Sequence, residues 1–141
     1  MNITVQLPSI LELIPSAIDD LLKRIGSAVE LSKEDSFQIR LILEEAIANG
    51  VCHGNNYDTG FKVDISITVE NDLVKMSIKD EGKGFNHQNI LDPIKKENLF
   101  KPIGRGIYLI KKIADDVKFN DPGNEIIITK RIGKNIKEKP K

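Results

Sequence analysis

A chain of 141 residues is long enough to bury a core and short enough to form one domain. Lys+Arg and Asp+Glu each number 21, and this zero net charge argues against a protein that grips nucleic acid chiefly by neutralising phosphates. Aromatic residues make up 5% with no Trp, which disfavours a base-stacking surface, and the single cysteine, Cys52, forms no internal disulfide and suits a reducing compartment as a small apolar residue.

The start, Met1 to Pro8, has no basic region and no long apolar stretch, so it does not read as a signal peptide. No apolar run is long enough to span a bilayer, and a soluble, cytoplasmic protein is expected. Ile3, Val5 and Leu7 alternate with polar residues, the mark of a half-buried strand ended by Pro8. Leu13, Ala17, Ile18, Leu21, Leu22 and Ile25 recur at helical spacing up to Ala28, and Pro15 places the start of that helix near Ile14. Ser32 with Asp35 marks an N-cap, opening a second helix that should run to Val51 or His53 and stop at Gly54-Asn55-Asn56. Phe61 to Val69 and Leu73 to Ile78 alternate about an Asn71-Asp72 turn and predict an antiparallel hairpin covered on one side by helices.

Residues Asn86 to Lys101 carry Pro93, mixed charge and no clean period, and read as a long functional loop. A third helix is expected from Gly106 to Ala114, then strands at Asp116 to Asn120 and Glu125 to Ile132 around an Asp121-Pro122-Gly123 turn. Neither an internal repeat nor a second domain is evident. The pattern predicts one domain over 1–133 with a charged, frayed tail over 134–141.

Three features carry chemistry. Glu45, Asn49 and His53 are one turn apart among small and apolar neighbours, and burying a carboxylate and an amide there is costly unless something satisfies them. Taken alone, this stripe fits an inter-helix hydrogen-bond network better than a site for metal and phosphates. Asp80-Glu81-Gly82-Lys83-Gly84-Phe85 follows a strand directly, and its glycines allow close backbone approach to a ligand, although an ordinary tight turn uses the same residues. Gly104-Arg105-Gly106 stands before a helix, where unpaired N–H groups suit a phosphate or a simple capped linker. It is neither a Walker loop nor G-x-G-x-x-G.

Together and in this order, the three resemble the ATPase domain shared by gyrase, the ninety-kilodalton heat-shock chaperones, histidine kinases and mismatch-repair ATPases. Glu45 to Asn55 looks like its N box, Asp80 to Phe85 like the first glycine box, and Gly104-Arg105-Gly106-Ile107 like the second. Within that superfamily the short chain is most similar to the anti-sigma-factor serine/threonine kinases. No dimerisation helix with a phospho-acceptor His is present, since His53 and His87 are the only histidines.

The resemblance implies a Bergerat-type fold, an α+β two-layer sandwich with a mixed, mostly antiparallel sheet and helices on one face. It implies ATP and Mg²⁺ as cofactors. Glu45 would be the general base and Asn49 the Mg²⁺ ligand, an oxygen donor suited to that ion. Asp80 would accept from the adenine amino group. Gly82, Gly84 and Phe85 would pass close to the nucleotide, Gly104, Arg105, Gly106 and Ile107 would meet the phosphates, and His53 would brace the pocket wall. The lid would span about 86–103. Family members carry a basic lid residue just before the second glycine box, where this chain has Pro102-Ile103, so that role would fall to Arg105, Lys101, Lys95 or Lys96.

By resemblance the substrate is a serine or threonine on a STAS-type anti-sigma-factor antagonist, which competes with a sigma factor for this protein, while a PPM-type phosphatase resets the switch. A homodimer built on the first strand and first helix is expected, without direct contact to nucleic acid or membrane. Three alternatives differ in kind: a nucleotide-gated protein-binding regulatory module with little or no phosphotransfer, a plain ATPase, and a domain whose glycine turns are purely structural.

Overall fold

A computed structural model describes residues 1–82 and 102–133, with the backbone alone for 102–105. β1 (Asn2–Pro8) leads through a short 3-10 turn into α1 (Ile14–Ala28), followed by α2 (Lys33–Asn49) and a π turn (Gly50–Gly54). β2 (Lys62–Glu70) and β3 (Leu73–Lys79) form the predicted hairpin; α3 (Pro102–Ile113), β4 (Asp116–Phe119) and β5 (Glu125–Arg131) follow.

The five strands among the described residues lie in the order β1-β2-β3-β5-β4. Every ladder among the described residues is antiparallel. Strand alternation decides the layering. Ile3 and Leu7, Val63, Ile65 and Ile67, Val74, Met76 and Ile78, and Ile126 and Ile128 are buried. They share one face by register, as in the row Ile67, Met76, Ile128. The opposite face shows Thr4, Ser66, Thr68 and Lys75. The buried face meets Ile14, Ile18, Leu21 and Ile25 of α1 and Ile39, Ile42, Leu43, Ala46 and Ile47 of α2 in one cluster. Each fully buried isoleucine there contributes on the order of 2 kcal/mol.

Local signals set the helix starts. α1 begins at Ile14 with Pro15 in its first turn, where a missing N–H costs nothing. α2 opens on a full capping box, Ser32 Oγ accepting from Asp35 N at 2.9 Å and Asp35 accepting from Ser32 N. Asp35 also accepts from Gly133 N at 3.2 Å, tying the end of the described chain to the helix start.

Two expectations need correction. α2 does not run on as α-helix to His53: it ends at Asn49 and continues as the π turn, with Asn55 N donating to Gly50 O at 2.8 Å. The third helix begins at Pro102 rather than Gly106, because proline's fixed φ suits a first helical position. Pro102 and Ile103 therefore belong to α3, and the glycine pair lies within the helix rather than ahead of it. Among the described residues no helix is long and apolar enough to cross a membrane.

Candidate functional site

A cavity of about 470 Å³ opens at the end of the sheet where α2, the π turn, α3 and the β4–β5 turn meet. Ala46, Ile78, Ile107, Phe119 and Ile126 give it apolar walls, and Asn49, His53, Asp80, Asn124 and Glu125 supply polar groups. This is the composition and size of a small-molecule site.

Asp80 follows β3 directly and faces the cavity beside two glycines. A Cβ on Gly54 would stand 2.2 Å from the Asp80 carboxyl carbon, so only glycine leaves room for that side chain. The Asp80 Oδ1 accepts from Gly82 N at 2.8 Å. Burial pushes the Asp80 carboxyl above its ordinary value, and backbone hydrogen bonds, that of Gly82 first, pull against the rise. A desolvated acceptor is thus held at a cavity wall.

On the other side, α2 brings Glu45 and Asn49 against α3. A Cβ on Gly106 would lie 2.9 Å from Glu45 Oε2 and 3.2 Å from Asn49 Nδ2. Gly106 acts here as a close-contact residue. As the fifth residue of α3, its N–H falls inside the helix, beyond the free first-turn donors. Both residues are half-buried; Asn49 lines the cavity, and Glu45 stands one helical turn before it on α2, against Gly106. His53, in the π turn, also lines the cavity and is exposed.

Of the sequence-predicted site, Asn49, His53, Asp80 and Ile107 line the cavity, while Gly106 lies against Glu45 and Asn49, and Gly82 against Gly54 and Asp80. Gly104 lies in the first turn of α3. Gly84, Phe85, Lys95, Lys96 and Lys101, His87, the Arg105 side chain, lid residues 86–101 and the tail 134–141 lie outside the described residues.

The sequence reading missed the buried Asn55, whose side chain joins three segments, and Asn124, whose backbone O accepts from Asp80 N at 2.9 Å. Both sit in stretches that read as turn chemistry, which conceals a side-chain bracket. Phe119, a cavity wall, read only as a strand residue.

A family model described as a histidine kinase-like ATPase domain matches residues 8–130. The anti-sigma F factor of Bacillus subtilis is 31% identical over 103 residues, covering 69% of this chain and 70% of that protein. The serine-protein kinase RsbW of Oceanobacillus iheyensis is 26% identical over 118 residues, with 79% and 75% covered. A blue-light activated histidine kinase of Erythrobacter litoralis has a TM-score of 0.58 at 15% identity over 88% of this chain, a likeness of fold alone, and this chain spans 43% of that longer protein. With its Asp80 cavity, its Glu45–Asn49 pair and these matches in hand, the chain belongs to the histidine kinase-like ATPase domain family, among the anti-sigma-factor serine/threonine kinases.

Proposed function

We propose that this protein is an ATP-dependent protein-serine/threonine kinase and anti-sigma factor that phosphorylates a STAS-type antagonist and sequesters a sigma factor in the cytoplasm, acting as a homodimer. The observation that carries the reading is the meeting of Glu45 and Asn49 at Gly106, with Asn49 lining the same cavity as Asp80. The names of the relatives, anti-sigma F factor and serine-protein kinase, support it.

The residues fit Mg-ATP. Asp80 is an acceptor suited to an exocyclic amino group. Ile78, Ile107 and Ile126 offer apolar faces to a base, and Gly54 and Gly82 leave clearance that a Cβ would fill. Asn49 offers one hard oxygen, which suits an ion that takes its other ligands from phosphates and water. When bound, Mg-ATP supplies the transferable phosphoryl group and neutralises its developing charge. Glu45 accepts the proton of the acceptor hydroxyl. Gly106 leaves its carboxylate the room to do so, and Asn49 keeps its amide beside the same glycine.

The test is phosphoryl transfer to the acceptor protein that co-purifies with the chain. Glu45→Gln should slow transfer by roughly 10²–10⁴-fold, with Mg-ATP affinity retained. Undiminished transfer would remove Glu45 from the role of base. Nucleotide binding by the wild type with no phosphoserine or phosphothreonine on its partner would replace the kinase by a nucleotide-gated docking module.

A further inference from the structure

We infer that Asn55 is a positioning residue for Asp80: its buried amide pins the peptide that follows Asp80 to the frame of the domain and so aims the Asp80 carboxyl into the cavity. For the identity of the ligand this rests on the nucleotide reading above; the link between the two residues does not.

Asn55 is 1% exposed. Its Nδ2 donates to Ser9 Oγ at 2.9 Å and to Lys62 O at 3.0 Å, and its Oδ1 accepts from Glu81 N at 2.8 Å. Both donors and one acceptor site are therefore used, as a buried amide requires. Two of the three partners belong to the frame, Ser9 just past β1 and Lys62 at the start of β2. The third is different in kind. The N–H of Glu81 belongs to the peptide joining Asp80 to Glu81, so holding it fixes the rotation about the Asp80 Cα–C bond.

The peptide before Asp80 is held too, by Asp80 N donating to Asn124 O at 2.9 Å. The β3–β5 ladder ends at Lys79, so beyond that Asp80 N bond the ladder holds nothing of the Asp80-Glu81-Gly82 turn, and the peptide after Asp80 depends on other partners. The other ties on this turn are Gly82 N donating to Asp80 Oδ1 at 2.8 Å, Asn124 Nδ2 donating to Asp80 O at 3.4 Å and to Gly82 O at 3.5 Å, and an exposed bond from Lys62 N to the Glu81 carboxylate, where water competes. Of the described side chains that hold this turn's backbone, Asn55 is the one that is fully buried. With both flanking peptides fixed, the direction of the Asp80 Cα–Cβ bond follows, and Gly82 N holds the carboxyl at its end.

The experiment titrates Mg-ATP and Mg-ITP into the full chain and follows the Asp80 carboxyl by carbon NMR without nucleotide. Inosine presents an oxygen where adenine presents its amino group, so an aimed carboxylate should favour ATP by about tenfold. In Asn55→Ala that preference should fall to within about twofold, and the Asp80 titration should move down toward the ordinary aspartate range as the freed carboxyl reaches water. Ser9→Ala, which removes one frame partner, should lower Tm and keep the preference.

Should Asn55→Ala fail to fold, Asn55→Asp keeps the volume and the oxygen facing Glu81, and it should lose stability while retaining most of the preference. The inference is overturned if folded Asn55→Ala keeps both the wild-type preference and the wild-type Asp80 titration, or if Asn55→Asp loses the preference. A wild type that binds neither nucleotide sinks the nucleotide reading alone, and the Asp80 titration in Asn55→Ala still decides the link.

Discussion

Gly82 lies so close to Gly54 that a Cβ on Gly82 would stand 2.1 Å from the Gly54 carbonyl oxygen. The reverse clash has a different target: a Cβ on Gly54 would meet the Asp80 carboxyl, with both of its oxygens within 2.6 Å. One substitution pushes on backbone and the other on the tip of a side chain. Gly82→Ala should therefore cost about 1–3 kcal/mol of stability, the usual cost of overpacking. Gly54→Ala should cost less and turn Asp80 aside, weakening Mg-ATP binding by about tenfold or more. Paired denaturant unfolding and nucleotide titration would check the contrast; equal losses of stability would refute it.

Gly106→Ala separates stability from chemistry in the opposite sense. Within a helix, alanine is favoured over glycine by roughly 1 kcal/mol. The nearest obstacle is the flexible end of Glu45. Thermal stability should hold or rise, while phosphoryl transfer to the acceptor falls by about 100-fold as Glu45 is displaced. A variant with unimpaired transfer would show that Glu45 does not need that place.

The raised Asp80 pKa fixes the sign of a pH effect. The folded carboxyl holds its proton more tightly than the unfolded one. Between the ordinary aspartate value, roughly 4, and the raised value, the folded state binds more protons and stability falls as pH rises. Asp80→Asn escapes this cost. Its Tm should exceed that of the wild type at neutral pH, with the gap closing below the ordinary aspartate range, and its Mg-ATP affinity should be lower throughout. Scanning calorimetry across pH would detect a reversed or absent trend.

How much of this was legible in the sequence depended on whether a signal was periodic or positional. Strand alternation from Ile3 to Leu7 and from Phe61 to Ile78 gave the hairpin and its covered face, since a period of two residues assigns each side chain to a side. Ser32 and Asp35 announced the α2 start by cap chemistry. The α3 start at Pro102 was hidden because the irregular stretch before it carries no period against which a first turn stands out. The π turn was invisible, since Gly50 to Gly54 reads equally well as fraying α-helix. Glu45, Asn49 and Asp80 were identified as a set by motif. Asn55 closed the N-box match without a role, because its role, like that of Asn124, comes from contacts between distant segments that no local pattern records.

Asp35 joins the start of α2 to the segment after β5, and its loss should be felt at both. Asp35→Ala removes the acceptor for Ser32 N and for Gly133 N and should cost about 1–2 kcal/mol. The midpoint of urea unfolding should move with an unchanged slope. A shift within error of zero would mean that water replaces both bonds.

The π turn makes the spacing between Asn49 and Asn55 a matter of arithmetic. Removing one residue from Gly50–Gly54 and closing an ordinary α turn would bring Asn55 back near its present heading, because five residues of π turn and four of α-helix both sweep roughly 400°. Inserting a residue elsewhere in α2, with the turn kept α-helical, has no such outlet and would swing every later residue by about 100°. The widened turn is thus a place where the chain tolerates a change of length, while Asn55 itself, held by partners from three separate segments, does not tolerate a change of identity.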